Sequence, residues 1–186
     1  MPSFGTTVNP VSVTAFVLTC LGCVQTVTVI FITTWWSVSY SKTDRTFNGV
    51  WSSEACKNVG GGFSCHSVSA TQLENGQEAL FVSKVFATFT AVLSFVAVVL
   101  HVVYALTRVP IVRTTAIFML GSAGLFGLLA VFVFAGFYSS LSVGSPSLGV
   151  AFYLFLIGSI VCLVAAAFTA WASVRKVMTF SPTQLE

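Results

Sequence analysis

Apolar residues are concentrated in four long stretches of the chain, with polar residues between them. The apolar stretches cover about 11–33, 85–106, 116–138 and 150–174, and none contains Asp, Glu, Lys or Arg. Each is long enough to cross a bilayer as a helix, which takes about 20 residues. We therefore predict an all-α membrane fold, a four-transmembrane-helix bundle that forms a single domain over residues 1–186. The first stretch has no Lys or Arg before it and is too long for a cleaved signal peptide, so we expect it to be retained.

The longest polar connection, about 34–84, begins with an alternating pattern. Trp36, Val38 and Tyr40 fall on one face of an extended chain, and three serines fall on the other. A period of two predicts a half-buried strand that leaves the membrane. The first connection is therefore expected to form a small extracellular β-sheet.

A second short strand is expected around Val50 and Trp51, followed by a hairpin between Cys56 and Cys65. The three glycines at 60–62 can adopt the positive φ angles of a tight reversal. This hairpin would bring the cysteines together, and a disulfide that closes a loop of about ten residues contributes roughly 2–3 kcal/mol. We expect Trp51 to pack beneath the hairpin. The alternatives are two free cysteines in an unstructured loop or a zinc site, although zinc needs more ligands than this loop supplies.

Composition and charge indicate where the chain resides. Hydrophobic residues make up 56% of it and charged residues 7%, whereas soluble domains carry about 25% charged residues. A net charge of +3 without a basic run argues against a nucleic-acid partner. Both termini lie on the side of Arg108, Arg113, Arg175 and Lys176, which predicts a cytoplasmic location for them. Since a disulfide needs an oxidising compartment, the first loop is expected to be extracellular or lumenal, and the membrane is expected to be the plasma membrane.

No catalytic, cofactor-binding or metal site is predicted. Cys20 and Cys23 form a Cys-x-x-Cys motif, but they lie within an apolar stretch where a thiolate is disfavoured, so we interpret them as small packing residues. His101 lies near the basic end of the second stretch and is interpreted as an interfacial or hydrogen-bonded histidine. The stretches contain no carboxylate for proton transfer, and no phosphate-binding loop is present. We therefore predict that the protein is not an enzyme.

Small residues recur every four positions in the third and fourth apolar stretches. They are Ala123, Gly127, Gly158, Cys162, Ala166 and Ala170. Small residues on one face allow membrane helices to approach closely. We expect these contacts to lie within the bundle, and the alternative is that one of the faces binds a partner protein.

The order of tryptophans and cysteines resembles the claudin superfamily, which includes claudins, peripheral myelin protein relatives and stargazin-type channel auxiliary subunits. Its hallmark is a tryptophan after the first span, then Gly-Leu-Trp, then two cysteines. The matching residues are Trp36, Gly49, Val50, Trp51, Cys56 and Cys65. The layout of four spans with a long first loop and a basic cytoplasmic link is also similar. This resemblance implies a left-handed four-helix bundle capped by a small extracellular sheet, and an adhesive, barrier-forming or channel-modulating role.

Some residues depart from the claudin pattern. Val50 stands in place of leucine, four residues rather than two separate Trp51 from Cys56, and Glu78 stands where claudins often carry arginine. The final TFSPTQLE lacks the tyrosine-valine ending by which many claudins bind scaffold proteins. These departures are typical of a distant relative.

We therefore expect a non-enzymatic integral membrane protein that contacts other membrane proteins or copies of itself. It would act as an auxiliary subunit of a membrane complex or channel, or as a membrane-organising structural protein. One alternative is a claudin-type cell-junction adhesion or paracellular barrier protein. A second alternative is a small structural subunit of a redox or transport complex.

Overall fold

The four apolar stretches form the helices of the protein, and the connections at one end form its sheet. The computed structural model describes residues 10–32, 34–39, 44–49, 51, 53–59, 62–68, 77–139 and 145–178. The helices in these residues are α1 (Pro10–Ile30), α2 (Gln77–Thr107), α3 (Pro110–Ser139) and α4 (Val150–Met178). The strands are β1 (Trp36–Ser39), β2 (Asp44–Asn48), β3 (Ser53–Val59), β4 (Gly62–Val68) and β5 (Ser145–Leu148). Four helices that are long and apolar enough to cross a membrane, with a small antiparallel sheet, fit the predicted four-helix membrane fold.

The helix ends differ from the predicted limits of the apolar stretches. Helix α1 ends at Ile30 rather than 33, and α2 begins at Gln77 rather than near 85. The expected nine-residue link between the second and third stretches is reduced to Arg108 and Val109. Arg108 has a φ of 60°, and its N–H donates to the carbonyl of Tyr104 at 2.9 Å, which ends α2 in a left-handed cap. Pro110 can start α3 at once, because the first turn of a helix does not need its missing N–H.

The helices form a ring in which α1 contacts α2 and α4, and α3 contacts α2 and α4. The α2–α3 pair has the most extensive contact and the α1–α2 pair the least. We call the end that carries the strands the sheet end, and the end that carries Arg108 and Val109 the turn end. Side chains on the outside of the ring include Phe118 and Phe132, each 68% exposed. Large apolar side chains on the outer surface are suited to lipid rather than to water.

Small and hydroxyl-bearing residues fill much of the space between the helices. Thr26, Ser94 and Ser159 are fully buried. The hydroxyl of Ser159 donates to the carbonyl of Phe155 at 2.8 Å, and those of Thr26 and Ser94 lie 3.2 Å apart, so that α1 and α2 are joined by a hydrogen bond. Such interiors are typical of membrane helices, which associate through close packing and interhelical hydrogen bonds.

All five strands belong to one antiparallel sheet in the order β4-β3-β2-β1-β5. Strands β1 to β4 lie in the first connection, where the sheet was predicted. The prediction did not include β5, which comes from the connection between α3 and α4. This strand pairs with β1, from Trp36 opposite Leu148 to Ser39 opposite Ser145. Its sequence contains Pro146, which is tolerated because β5 is an edge strand.

Trp35 fixes the sheet to the helices. Its side chain is fully buried, its indole N–H donates to the carbonyl of Val29 at 3.0 Å, and its ring lies 5.5 Å from that of Phe134 and 5.0 Å from that of Phe155. Its own carbonyl accepts the N–H of Gly149 at 2.8 Å. A side chain at Gly149 would collide with the carbonyl of Thr34, so the start of α4 can approach this segment only because glycine lacks a Cβ.

Candidate functional site

The hairpin of β3 and β4 contains the predicted disulfide. Cys56 lies directly opposite Cys65 in the register of the two strands, and their sulfur atoms are bonded. Val59 lies opposite Gly62, so residues 60 and 61, which are outside the described part of the chain, make the connection. The predicted hairpin and disulfide are confirmed.

The disulfide lies on the face of the sheet opposite to the one that carries the buried side chain of Trp36. Residues directly opposite each other in neighbouring strands place their side chains on the same face. The row that crosses the sheet through the disulfide is Ser39, Arg45, Cys56 and Cys65. Trp36 and Val38 lie on the other face and are buried. The disulfide thus belongs to the outer face, whereas the apolar face of β1 packs on the helices.

On the outer face, a side-chain hydrogen bond joins the connection between α1 and α2 to the connection between α3 and α4. The hydroxyls of Ser37 in β1 and Ser147 in β5 are 2.8 Å apart. Together with the β1–β5 ladder, this hydrogen bond joins the segment after α1 to the segment before α4. The sheet is therefore tied together across its width and not only within its hairpin.

Strand β4 is the most open part of the sheet. It forms one edge, and four successive side chains, those of residues 64–67, are all exposed. Because successive side chains point to opposite faces of a strand, both faces of β4 are accessible. An edge strand with two open faces is the arrangement to which another chain can add main-chain and side-chain contacts.

Two predictions about Trp51 are wrong. It lies between β2 and β3 rather than within a strand, and its side chain is 54% exposed rather than packed beneath the hairpin. The ammonium group of Lys84 lies 5.8 Å from the centre of its ring, a cation–π distance. Of its companions in the signature, Gly49 is buried and Val50 lies outside the described residues. An exposed tryptophan near the start of an apolar helix is typical of the membrane–water boundary and of contact surfaces.

The small residues singled out in the sequence lie mostly between helices. Ala123, Gly127, Gly158, Cys162 and Ala166 are buried, and Ala170 is half-buried. A Cβ at Gly158 would lie 3.1 Å from Thr26 on α1.

The sequence interpretation missed two glycines that make equally close contacts. A Cβ at Gly22 would lie 2.9 Å from the sulfur of Cys162, and one at Gly124 would lie 2.9 Å from the carbonyl of Ser159. Gly124 adjoins the predicted Ala123, and Gly22 lies within the Cys-x-x-Cys motif. A search for every small residue within the apolar stretches would have found both glycines, whereas a search for small residues repeated every four positions did not.

The described residues offer little reactive chemistry at the sheet. Among them, no group of three His, Cys, Asp or Glu side chains is placed to hold a metal ion.

Comparison of the chain with models of known protein families finds no match, and comparison with curated proteins finds none. The site is thus defined by its shape: a disulfide-closed hairpin whose outer strand is an edge strand among the described residues, on a sheet fixed to the bundle.

Proposed function

We propose that the protein is a non-enzymatic integral membrane protein that acts through protein contacts. It serves as an auxiliary subunit of a membrane complex or channel, or as a membrane-organising structural protein. The observation that carries this proposal is the β3–β4 hairpin, whose outer strand has exposed side chains on both faces and is an edge strand among the described residues.

The rigidity of the sheet supports a role in binding. Ordering a loop upon association reduces affinity, so a surface that is ordered beforehand binds more tightly. Here the hairpin is closed by the Cys56–Cys65 bond, and the sheet is held to the helices by Trp35 and Gly149. A partner would therefore meet a preformed surface.

The packing of the helices also favours the sheet over a small-residue helix face as the contact surface. The glycines of α3 and α4 that allow close approach already face other helices of this chain: Gly127 meets Ser159, and Gly158 meets Thr26. A partner helix would have to displace these contacts. The hairpin requires no such displacement.

The proposed orientation places both termini and the turn end in the cytoplasm of the plasma membrane, and the sheet outside. Four apolar helices suggest an integral membrane protein. Arg108 is exposed at the turn end, and positive charge near helix ends favours the cytoplasmic side. The disulfide at the opposite end favours an oxidising compartment.

The resemblance to the claudin superfamily supports a second candidate function, that of a junction adhesion or paracellular barrier protein. The observation in its favour is that the hairpin is open on both faces, which permits contact with a copy on an opposing cell. The two candidates differ in which molecule the hairpin touches.

Photo-crosslinking separates these functions. A photoreactive residue is placed at Ser64 or Ser67, both exposed on β4, and at Phe118 or Leu125 as matched controls on the exposed surface of α3. Adducts with a different membrane protein identify an auxiliary subunit, and adducts with copies in the same membrane identify an organising protein. Adducts between differently tagged copies on mixed cells identify adhesion. If the β4 positions give no more protein adducts than the α3 positions, the hairpin is not a contact surface.

A further inference from the structure

A cavity of about 320 Å³ lies at the turn end of the bundle, away from the sheet. Its lining combines an apolar wall from α1 and α2 with six residues that carry a polar group: Ser12, His101, Tyr104, Arg108, Arg113 and Thr169. Clefts of this size with a few polar groups in an apolar wall are typical of ligand sites. The arrangement of the polar groups indicates the chemistry of the ligand.

Arg113 is a buried cation without a carboxylate partner among the described side chains. Its side chain is 8% exposed, and it donates one hydrogen bond, from Nη2 to the carbonyl of Thr169 at 2.9 Å. Its guanidinium carbon lies 5.5 Å from the centre of the Tyr104 ring. Glu54 is the only carboxylate whose side chain the structure describes, and it lies in β3 at the other end. Burying a charge is costly unless it is paired, so an anion is the ligand that Arg113 favours.

Hydrogen bonds hold the inner wall of the cavity in place. The ring N–H at Nδ1 of His101 donates to the carbonyl of Ala97 at 2.9 Å, and Nε2 lies 3.3 Å from Oγ1 of Thr169. The hydroxyl of Thr169 donates to the carbonyl of Ala165 at 2.7 Å. Thr169, on α4, thus contacts His101 of α2 through its side chain and holds Arg113 of α3 through its carbonyl, which places the guanidinium at the cavity.

The side of the cavity that α1 and α2 form is apolar and reaches the outer surface of the bundle. Val13, Phe16, Val102 and Leu106 line it and are also exposed on the outer surface, Leu106 by 80%. These two helices have the least extensive contact of the neighbouring pairs. Arg113 lies three residues after the start of α3, about 4.5 Å along the helix axis. That depth suits a headgroup, and the apolar opening beside it suits an acyl chain.

We propose that this cavity binds an acidic phospholipid, with its phosphate on Arg113 and an acyl chain between α1 and α2. This role goes beyond the protein contacts proposed for the sheet. Arg108 lines the same cavity, so a second arginine lies beside the proposed headgroup site. Guanidinium groups bind phosphate through paired, charge-assisted hydrogen bonds, and basic pockets between membrane helices are suited to acidic headgroups. Inorganic phosphate offers the same oxygens but leaves the apolar wall uncovered.

The test is a binding titration of the full-length protein in a neutral detergent. Isothermal titration calorimetry uses dioctanoyl phosphatidylglycerol as the acidic lipid, with dioctanoyl phosphatidylcholine and sodium phosphate in parallel titrations. Arg113→Gln removes the buried charge, and Ala105→Phe fills the apolar wall at an exposed position of the cavity. Arg45→Gln removes one positive charge from an exposed position at the sheet end and serves as the matched control.

Phosphatidylglycerol is expected to bind about tenfold more tightly than phosphatidylcholine, and Arg113→Gln is expected to abolish this preference. Ala105→Phe should weaken the binding of both lipids, and Arg45→Gln should change neither. If Arg113→Gln does not fold, the effect of Ala105→Phe and the comparison of the two lipids on the unmodified protein test the proposal. Equal affinity of the unmodified protein for both lipids overturns the proposal, as does an effect of Arg45→Gln equal to that of Arg113→Gln. Phosphate binding as tight as that of phosphatidylglycerol and insensitive to Ala105→Phe identifies a free-anion site instead.

Discussion

Replacing Gly127 with alanine tests whether α3 and α4 stabilise the bundle by packing against each other. A Cβ at Gly127 would lie 2.8 Å from the Cβ of Ser159 and would overlap its Oγ. Rotation of Ser159 moves Oγ, which now donates to the carbonyl of Phe155, but leaves Cβ where it is. The new methyl group therefore fits only if the two helices move apart.

The size of the effect follows from a comparison with Gly121 on the same helix. A Cβ at Gly121 meets no atom within 4 Å. Alanine is favoured over glycine in a helix interior by up to about 1 kcal/mol, and both variants share this gain. Overpacking costs about 1–3 kcal/mol and applies only at Gly127. Gly121→Ala should therefore exceed Gly127→Ala in unfolding free energy by about 1–3 kcal/mol.

Thermal unfolding of the purified protein in a mild detergent measures this difference. In soluble domains of 150–250 residues, 1 kcal/mol shifts the midpoint by about 2–4 °C, so the two midpoints should differ by several degrees. Equal midpoints, or a lower midpoint for Gly121→Ala, would refute the described packing of α3 on α4. The comparison does not depend on any partner or ligand.

Three further predictions concern the hairpin, the fourth helix and the orientation. Replacing both Cys56 and Cys65 with alanine should speed hydrogen exchange of the β4 amides about 100-fold, because the bond contributes roughly 2–3 kcal/mol to closing its loop; unchanged exchange measured by mass spectrometry would contradict this. Ala166→Leu should lower the thermal midpoint, since three carbons are added at a buried position between helices, and an unchanged midpoint would mean that this face meets only lipid. A tag after Glu186 should be accessible to protease only in permeabilised cells, and cleavage in intact cells would reverse the proposed orientation.

The four helices could be predicted from the sequence because long apolar stretches without charged residues are typical of membrane-spanning helices. Their ends could not. Helix α2 begins at Gln77 and α3 at Pro110, in segments whose polar residues allow either a helix or a loop. The two-residue turn at Arg108 depends on a left-handed backbone conformation that arginine does not signal.

The sheet was predictable where the pattern is local and hidden where the pairing is long-range. Two cysteines around three glycines indicate a hairpin by themselves. Strand β5 has only four residues, one of them a proline, which is too short a pattern to predict a strand, and the main-chain bond between Gly149 and Trp35 brings its segment beside β1. Trp51 was misplaced for a related reason: β2 forms over the polar segment Asp44–Asn48 through its pairing with β1 and β3, which leaves the tryptophan in the connection.

Arg113 shows most clearly that a count of charged residues does not tell which of them are buried. In the sequence it contributes to a basic link, and that role agrees with the proposed cytoplasmic side. In the structure it lies inside the bundle, hydrogen-bonded to the main chain of α4 at Thr169, so only Arg108 of that pair is exposed.

A helix of 29 residues such as α4 is about 40 Å long, which separates the cavity from the sheet. If the two ends act independently, Arg113→Gln should abolish the preference for acidic lipid and leave crosslinking from Ser64 unchanged. A loss of both would instead mean that lipid at the turn end controls the hairpin through the helices.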